Sequence, residues 1–546
     1  MSKTSCDCGS PTWRARLAPA ATVAALALAL AAPDARGQVG IFSDAFETGT
    51  PWRWSRLPGG VDPRAVCAPP IAPVDMTGAT TVGNGTPASC TEAALDAALA
   101  SNNGRIRFSC GGAPRTIVVT SEKVVEGDLA IDGGGLVALS GGGTTRILGI
   151  RPPWGTTPLP VVTLQNLTFS NGSTTSLPGN TTLNGGGAIY KASGAHLRVL
   201  DSAFLGNHGP AVGQDVAGGA IYSFGEGSTV IVRSRFNGNS CSSGGAIGAL
   251  GTSNHSLAIY NSLLDLNAAT GNGGNPGNGG NGGAVYMDGN NQTVTLCGVM
   301  ISRNHANARG AGMFRVSNNG VGPMIVDRSS VLWNQSPAGP DSQAGGLYLQ
   351  GLQLTITGST IAGNVASSAG GMFVWTNPGT QSLTMLNSTV AENRARTSLG
   401  AGIAVAGGMT GSLRHVTIAR NHNDGPTSFA SAIAGGAAVS LSNSLIADNS
   451  KVFVWENTSC NATHPGSATF QWPQQNAGGQ SELPCSTSTT FLDGDIGALG
   501  WFGGAAPAIA PANPALDGAA PSNCPATDQN GAPRGATCTP GAIEMP

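Results

Sequence analysis

Charge is scarce in this chain of 546 residues. Lys, Arg, Asp and Glu make up 10% of it, against roughly a quarter in ordinary soluble proteins. After Lys3 the lysines are Lys123, Lys191 and Lys451 alone, and the formal net charge is −2. No basic stripe can form, which excludes nucleic acid as a partner bound by counterion release. Aromatic residues are few, at 5%. Beyond Pro33 no apolar run is long enough to span a bilayer. No Cys/His spacing suits zinc, so no metal and no cofactor is expected. What is plentiful is Gly, at 82 residues, together with Asn, Ser and Thr, and hydrophobic residues reach 40%. That is enough for a core, so disorder is not the reading. The length calls for several units or one elongated repeat array.

The N-terminus has the layout of a secretory signal peptide. Lys3, Arg14 and Arg16 precede the apolar run Leu17 to Pro33, and Ala35 and Gly37 place small residues before a cleavage point at Gln38. Eleven cysteines suit an exported, oxidising setting. Cys6 and Cys8 leave with the signal, and the remaining nine are odd in number. Proximity suggests Cys90–Cys110, Cys460–Cys485 and Cys524–Cys538, leaving Cys67, Cys241 and Cys297 unassigned.

A repeat runs through the middle of the chain. Asn207, Asn239, Asn267, Asn304, Asn334, Asn364, Asn393, Asn421 and Asn449 each follow an apolar residue by three and another by eight. At −6 stand mostly turn formers, among them Asp201, Asn261, Gly298, Gly358 and Asn387. The consensus L-x-φ-x-[turn]-S-x-φ-x-x-N, where φ is apolar, reads as two short strands with a bend between them. A tenth copy ending at Asn171 is one residue short. G-G-A-φ pieces from Gly186, Gly218, Gly244 and Gly282, with variants from Gly310, Gly345, Gly370 and Gly400, supply a third strand. Three strands and three corners in about thirty residues make one rung of an all-β, single-stranded parallel β-helix. Stacked rungs would align the asparagines into a ladder. The stretch Cys90 to Gly104 reads as an amphipathic helix capping the first rung.

The G-G-A-φ and F-x-x-N pieces resemble the polymorphic outer-membrane protein repeat and, more broadly, the pectate-lyase-like right-handed β-helix. NPALD (513–517), CPATDQNGAPR (524–534), Cys538 and GAIE (541–544) resemble the choice-of-anchor Q domain of bacterial surface proteins. The resemblance implies a right-handed coil and display at a cell surface. With Pro546 two residues past GAIE and no sorting motif after it, release or non-covalent attachment is expected instead of a covalent anchor. The expected organisation is a signal peptide over 1–37, a linker over 38–79, the capped β-helix over 80–450 and a disulfide-bearing choice-of-anchor Q-like region over 451–546. The segment 41–55 looks like one common just after the signal in secreted Gram-negative proteins, and nothing in it indicates a role.

Relatives of this fold that cut acidic polysaccharides imply a test for catalysis. Lyases commonly use an Arg or Lys base with Ca²⁺ on clustered carboxylates, and hydrolases carry N-x-D, D-D and G-H-G blocks supplying two acids. None of these blocks occurs, and the acidic residues are scattered. The favoured expectation is therefore a non-catalytic adhesion, glycan-binding or display role. The alternative is a polysaccharide lyase or glycoside hydrolase, whose site would bring an Arg and carboxylates together in a groove. Asn-His recurs at His208, His305 and His422, in one file but three or more rungs apart, so these are read as surface histidines and not metal ligands. Long insertions follow Asn171, Asn207, Asn267, Asn334 and Asn421 and leave at the same corner, so they line one side. Either they bind a polysaccharide or cell-surface glycan, or they are drift on an indifferent surface. If they bind, Asp215, Asp341, Asp424, His208 and His422 are the candidate contacts.

Overall fold

The computed structural model describes residues 61–545 apart from 178–181, 252–253, 275–276, 352, 378–380 and 427–429. The signal peptide and the 41–55 segment lie outside the described residues. Strand pairing among the described residues is parallel throughout, apart from a few isolated antiparallel bridges. Each strand pairs with its own copy one rung away: Thr229–Val232 lies on Leu197–Leu200 on one side, and Gly227–Val232 on His255–Tyr260 on the other. Such a coil is a parallel β-helix, and its winding is right-handed, as parallel crossovers are almost without exception.

The −6 residues have a common cause. Asp201, Arg233, Asn261, Arg328, Asn387, His415 and Asn443 all have φ between 42° and 52°. The chain turns the first corner there through a left-handed residue, which Asn, Asp and His tolerate better than most. A second left-handed residue sits just before each ladder Asn, as at Gly206, Gly238 and Arg303. This explains the short tenth copy. Phe169 pairs with Phe204, so the ladder position is Gly172, and Asn171, at φ 50°, occupies the left-handed corner before it. Asn171 is no rung of the ladder.

The ladder itself is continuous. From Asn239 on, each Asn Oδ1 accepts from the backbone N–H and from Nδ2 of the Asn one rung earlier, as Asn239 does from Asn207 at 3.0 and 2.9 Å. The same pair of bonds links Asn304 to Asn334 at 3.0 and 2.9 Å and Asn421 to Asn449 at 3.0 Å each. Nδ2 also donates to a carbonyl of the previous rung, so the buried amide is satisfied on both sides. A second ladder uses the consensus Ser: Ser202 N–H donates to Ser234 Oγ, Ser234 N–H to Ser262 Oγ and Ser329 N–H to Ser359 Oγ. Inside, Phe169, Phe204 and Phe236 stack with centroids 4.9 and 4.6 Å apart, which adds about 0.5–1.5 kcal/mol per pair beyond burial.

Where three strands per rung were expected, there is a fourth. Ser240–Cys241, Ala268–Ala269 and His305–Ala306 form one small sheet directly after the ladder, and Val365–Ser368, Arg394–Ser398, His422–Asn423 and Ser450–Lys451 another. Up to Ala395 the inward side chains here are small and buried, namely Cys241, Ala269, Ala306, Ala366 and Ala395, and Asn423 and Lys451 then take the same buried position. They face the glycine corner, where a Cβ on Gly219 would meet Ser240 N at 2.6 Å. Cys241 fills this layer as a small apolar residue and is, among the described residues, the free cysteine. The glycine motif changes phase along the coil. Leu347 pairs with Met313, so Ala344-Gly345-Gly346 takes the place of Gly310-Ala311-Gly312, and Ala344 itself adopts φ 58°.

The first rung and the first corner are covered by the chain's own segments. α1 (Glu92–Ala100) is capped by Thr91 Oγ1, which accepts from Ala94 N–H at 3.2 Å. It buries Leu95 and Ala98 against the first coil, tied there by Cys90–Cys110. Lys123 Nζ pins Glu92 and Asp96 at 2.6 and 2.7 Å. Residues 66–74 run as a strap across several rungs. Cys67 is bonded to Cys297, its backbone exchanges two hydrogen bonds with the Asn261 side chain, and Val74 does the same with Gln165. The coil continues through Thr469–Trp472 and Thr489–Phe491, with Cys460–Cys485 between. The chain then folds back over the same first corner: Asn387 and Asn443 donate to the carbonyls of Thr527 and Ser522 at 2.6 and 2.7 Å. Cys524–Cys538 fastens this returning segment.

Candidate functional site

The outward residues of the fourth strand form a file in register: His208, Ser240, Ala268, His305, Gln335, Val365, Arg394, His422, Ser450. His305 and His422 therefore sit on strands and His208 on isolated bridges of the same file, and the insertions leave after them. His208 and His305 are three rungs apart and His305 and His422 four, about 14 and 19 Å at the strand spacing, too far to share an ion. Each has its own partner. His208 Nδ1 and Ser240 Oγ are 2.8 Å apart, His305 Nε2 and Asn307 Oδ1 3.0 Å, and His422 Nδ1 and Ser450 Oγ 2.8 Å. Partial burial holds His208 below its ordinary pKa.

Of the five candidate contacts, the structure brings two together. Asp424 lies 3.0 Å from His422 Nε2 and accepts from Arg394 Nε at 2.6 Å. Asp341 stands apart, 3.8 Å from Arg309, whose guanidinium lies over the Tyr348 ring at 5.7 Å. Asp215 is elsewhere again. It accepts from Tyr286 Oη at 2.8 Å, and Asp288 Oδ2 lies 3.2 Å from the same phenol. Tyr222 Oη donates to the Asp215 carbonyl at 2.9 Å. Burial, followed by the nearby carboxylates, pushes both phenols well above their usual pKa. Tyr286 is sealed from solvent at 1% exposure, so this group fastens a loop onto the sheet. It does not present an acid to a substrate.

The phenols belong to an aromatic column that composition alone did not suggest. Tyr286, Phe314 and Tyr348 stack at 5.3 and 5.0 Å, and Phe373 continues at 5.4 Å. These are the residues after φ in G-G-A-φ, pointing outward from the 11-stranded sheet, and the insertions cover them as a second apolar layer. The alternation that turns φ inward also turns Lys191 and Arg315 inward. Lys191 Nζ donates to the Glu226 carbonyl at 2.8 Å, and burial pulls its pKa down to about 7. Arg315 caps the carbonyls of Gln292 and Gly322. Period-two spacing from Ile189 and Met313 was the available signal for both.

A further cluster gave no sequence signal. Glu122 accepts from Arg146 at 3.2 Å and from Arg151 at 2.9 Å, and both guanidiniums lie over the Tyr190 ring at 5.2 and 4.7 Å. Burial lowers the Arg146 pKa and raises that of Tyr190. Arg151, one-third exposed, is the member a carboxylate in solution could reach. Among the described residues, three potential metal-ligand atoms gather at His415, Cys524 and Cys538 and at Cys67, Cys297 and Asp327. In both, the sulfurs are already joined in disulfides.

The fold and this face define a parallel β-helix with a polar file and loop layer on one side. No family model matches the chain, and no curated protein does. Among solved structures it is similar to the A-module of the Azotobacter vinelandii mannuronan C-5 epimerase AlgE4, at 14% identity and a TM-score of 0.34, over 76% of this chain and 98% of that one. No helix among the described residues is long and apolar enough to cross a membrane.

Proposed function

We propose that the protein is an exported, non-catalytic β-helix that binds glycans along its loop-bearing side. The observation that carries this reading is the arrangement of polar groups there. The file through His208, Ser240, His305, Gln335, Arg394, His422 and Ser450 advances one rung at a time. The ion pairs beside it are closed and do not converge on one point: Arg394–Asp424 and Arg420–Glu392 both join the Asn393 and Asn421 rungs, and Arg309–Asp341 lies between the Asn304 and Asn334 rungs. A row of hydrogen-bonding groups at a fixed spacing suits a repeating linear polymer. The first corner is meanwhile occupied over much of its length by the 66–74 strap and the returning C-terminal segment. Export is supported by the signal-like N-terminus and by four disulfides, and surface association by the choice-of-anchor Q and polymorphic outer-membrane protein resemblances.

One observation favours a second reading, a polysaccharide-cleaving enzyme: at Glu122, Arg146, Arg151 and Tyr190 a carboxylate and two guanidiniums do converge. Against it, Tyr190 is 2% exposed and both rings of cation contacts lie over it. Incubating the protein from Gln38 onward with acidic and neutral polysaccharides separates the two. Retention of the protein on a polysaccharide without released oligosaccharide is expected. Release that stops in Arg151→Ala would establish the enzyme reading instead.

A further inference from the structure

The left-handed residue before each ladder Asn stands on an outer ridge beside the polar file. Gly takes this place at Gly206, Gly238 and Gly363, where the conformation costs nothing. At Trp333 the same position, φ 55°, carries the largest side chain available. Leu266, Arg303, Glu392, Arg420 and Asp448 also take this left-handed place, so the corner accepts a side chain, and Trp333 is the aromatic one, 36% exposed. Its indole is held in place. A Cβ on Gly363, one rung on, would collide with Trp333 Cδ1, so the ring lies over a glycine that leaves room for it. One rung before, Arg303 is half exposed and its charge is closed by Asp265, 2.5 Å away. Round the corner, Gln335 is exposed on the polar file.

We infer that Trp333 is a stacking subsite for a neutral sugar ring, with the exposed polar edge of Gln335 and the Arg303 guanidinium as flanking hydrogen-bonding groups; the inference rests on the glycan-binding reading above. A sugar presents an apolar C–H face that carries partial positive charge, which the negative face of an indole attracts while the hydroxyl rim stays in water. The nearby charges are already paired (Arg303–Asp265 on the ridge and Arg394–Asp424 on the file), so no net field draws a polyanion. That favours a neutral glycan over an acidic one.

The test compares the intact chain with Trp333→Asn, Trp333→Tyr and Trp154→Asn on neutral glucan, mannan and galactan and on acidic polysaccharides, by affinity electrophoresis. Asn keeps the corner conformation, since Asn171 occupies the equivalent place at φ 50°. Trp154, 98% exposed, controls for loss of any surface indole. The expected result is retention on a neutral glycan that weakens about tenfold in Trp333→Asn, a change of about 1.4 kcal/mol. It should be largely kept in Trp333→Tyr, unchanged in Trp154→Asn, and accompanied by an unaltered melting temperature. Equal binding by Trp333→Asn, or retention on acidic polysaccharides alone, overturns the subsite and leaves the glycan reading standing. Retention on neither class overturns both.

Discussion

At the scale of single residues, buried amides set the register of this coil. Asn334 Oδ1 accepts from both the backbone N–H and Nδ2 of Asn304. Asn334→Ala therefore leaves two buried donors without an acceptor and should destabilise by about 2–6 kcal/mol, since each such group costs about 1–3 kcal/mol. Urea unfolding measures it. His415 supplies a pH dependence. Burial, then the Arg534 charge, lowers its pKa from 6.5 to about 4, and burial takes His255 to about 3. Between pH 6.5 and 4 the unfolded chain binds a proton that the fold refuses at His415, so stability is full above about 6.5 and falls as pH drops toward 4. His415→Asn should flatten that fall, because Asn387 and Asn443 hold the neighbouring places on the same corner at φ 47° and 50°. Thermal melts at a series of pH values show whether the slope changes. The ladder was legible from its −3 and −8 apolar partners because burial forces that spacing. The buried Lys191 and Arg315 were equally periodic, but charged side chains are so rarely sealed inside that the alternation pointing them inward is easily passed over.

At the scale of elements, what could be read was whatever repeats. Strands, corners and the capping helix announce themselves through period-two alternation, left-handed residues and the Thr91 cap. The fourth strand did not, because most of its copies are only two residues long, and two residues carry no periodicity. Nor did the pairing of Cys67 with Cys297, separated by 230 residues, follow from spacing. It depends on the strap running along the coil, which only the folded chain defines. Cys297→Ser should free residues 61–74 from the Asn261 corner while the strands beneath keep their pairing. Hydrogen exchange is the direct check: protection is expected to fall over the strap and at Asn261, and to persist at Ile259 and Leu296 in the coil beneath. Loss of protection throughout would mean that the strap is integral to the coil.

At the scale of the whole molecule, stacking one rung on the next gives long-range order in only one direction, and a polar file at rung spacing follows from it. The candidate contacts His422 and Asp424 are neighbours because they are two residues apart in sequence, His422 on its strand and Asp424 just past its end. His208 stays in the file, whereas Asp215 and Asp341 are carried away from it by the insertions that follow Asn207 and Asn334, which fold onto different rungs. The loop side was legible as a side, since all insertions follow the same landmark. Its contacts were not, since loop conformation depends on the aromatic layer beneath. If the side binds a polymer through repeated, individually weak contacts, affinity must grow with ligand length. The most direct measurement is titration calorimetry with a length series of whichever oligosaccharide the polysaccharide screen selects, analysed afterwards for products. Affinity that rises over successive sugar units and then levels off, with every oligosaccharide recovered intact, is the predicted result. Affinity that is independent of length, or recovery of shortened chains, would contradict a non-catalytic binding file.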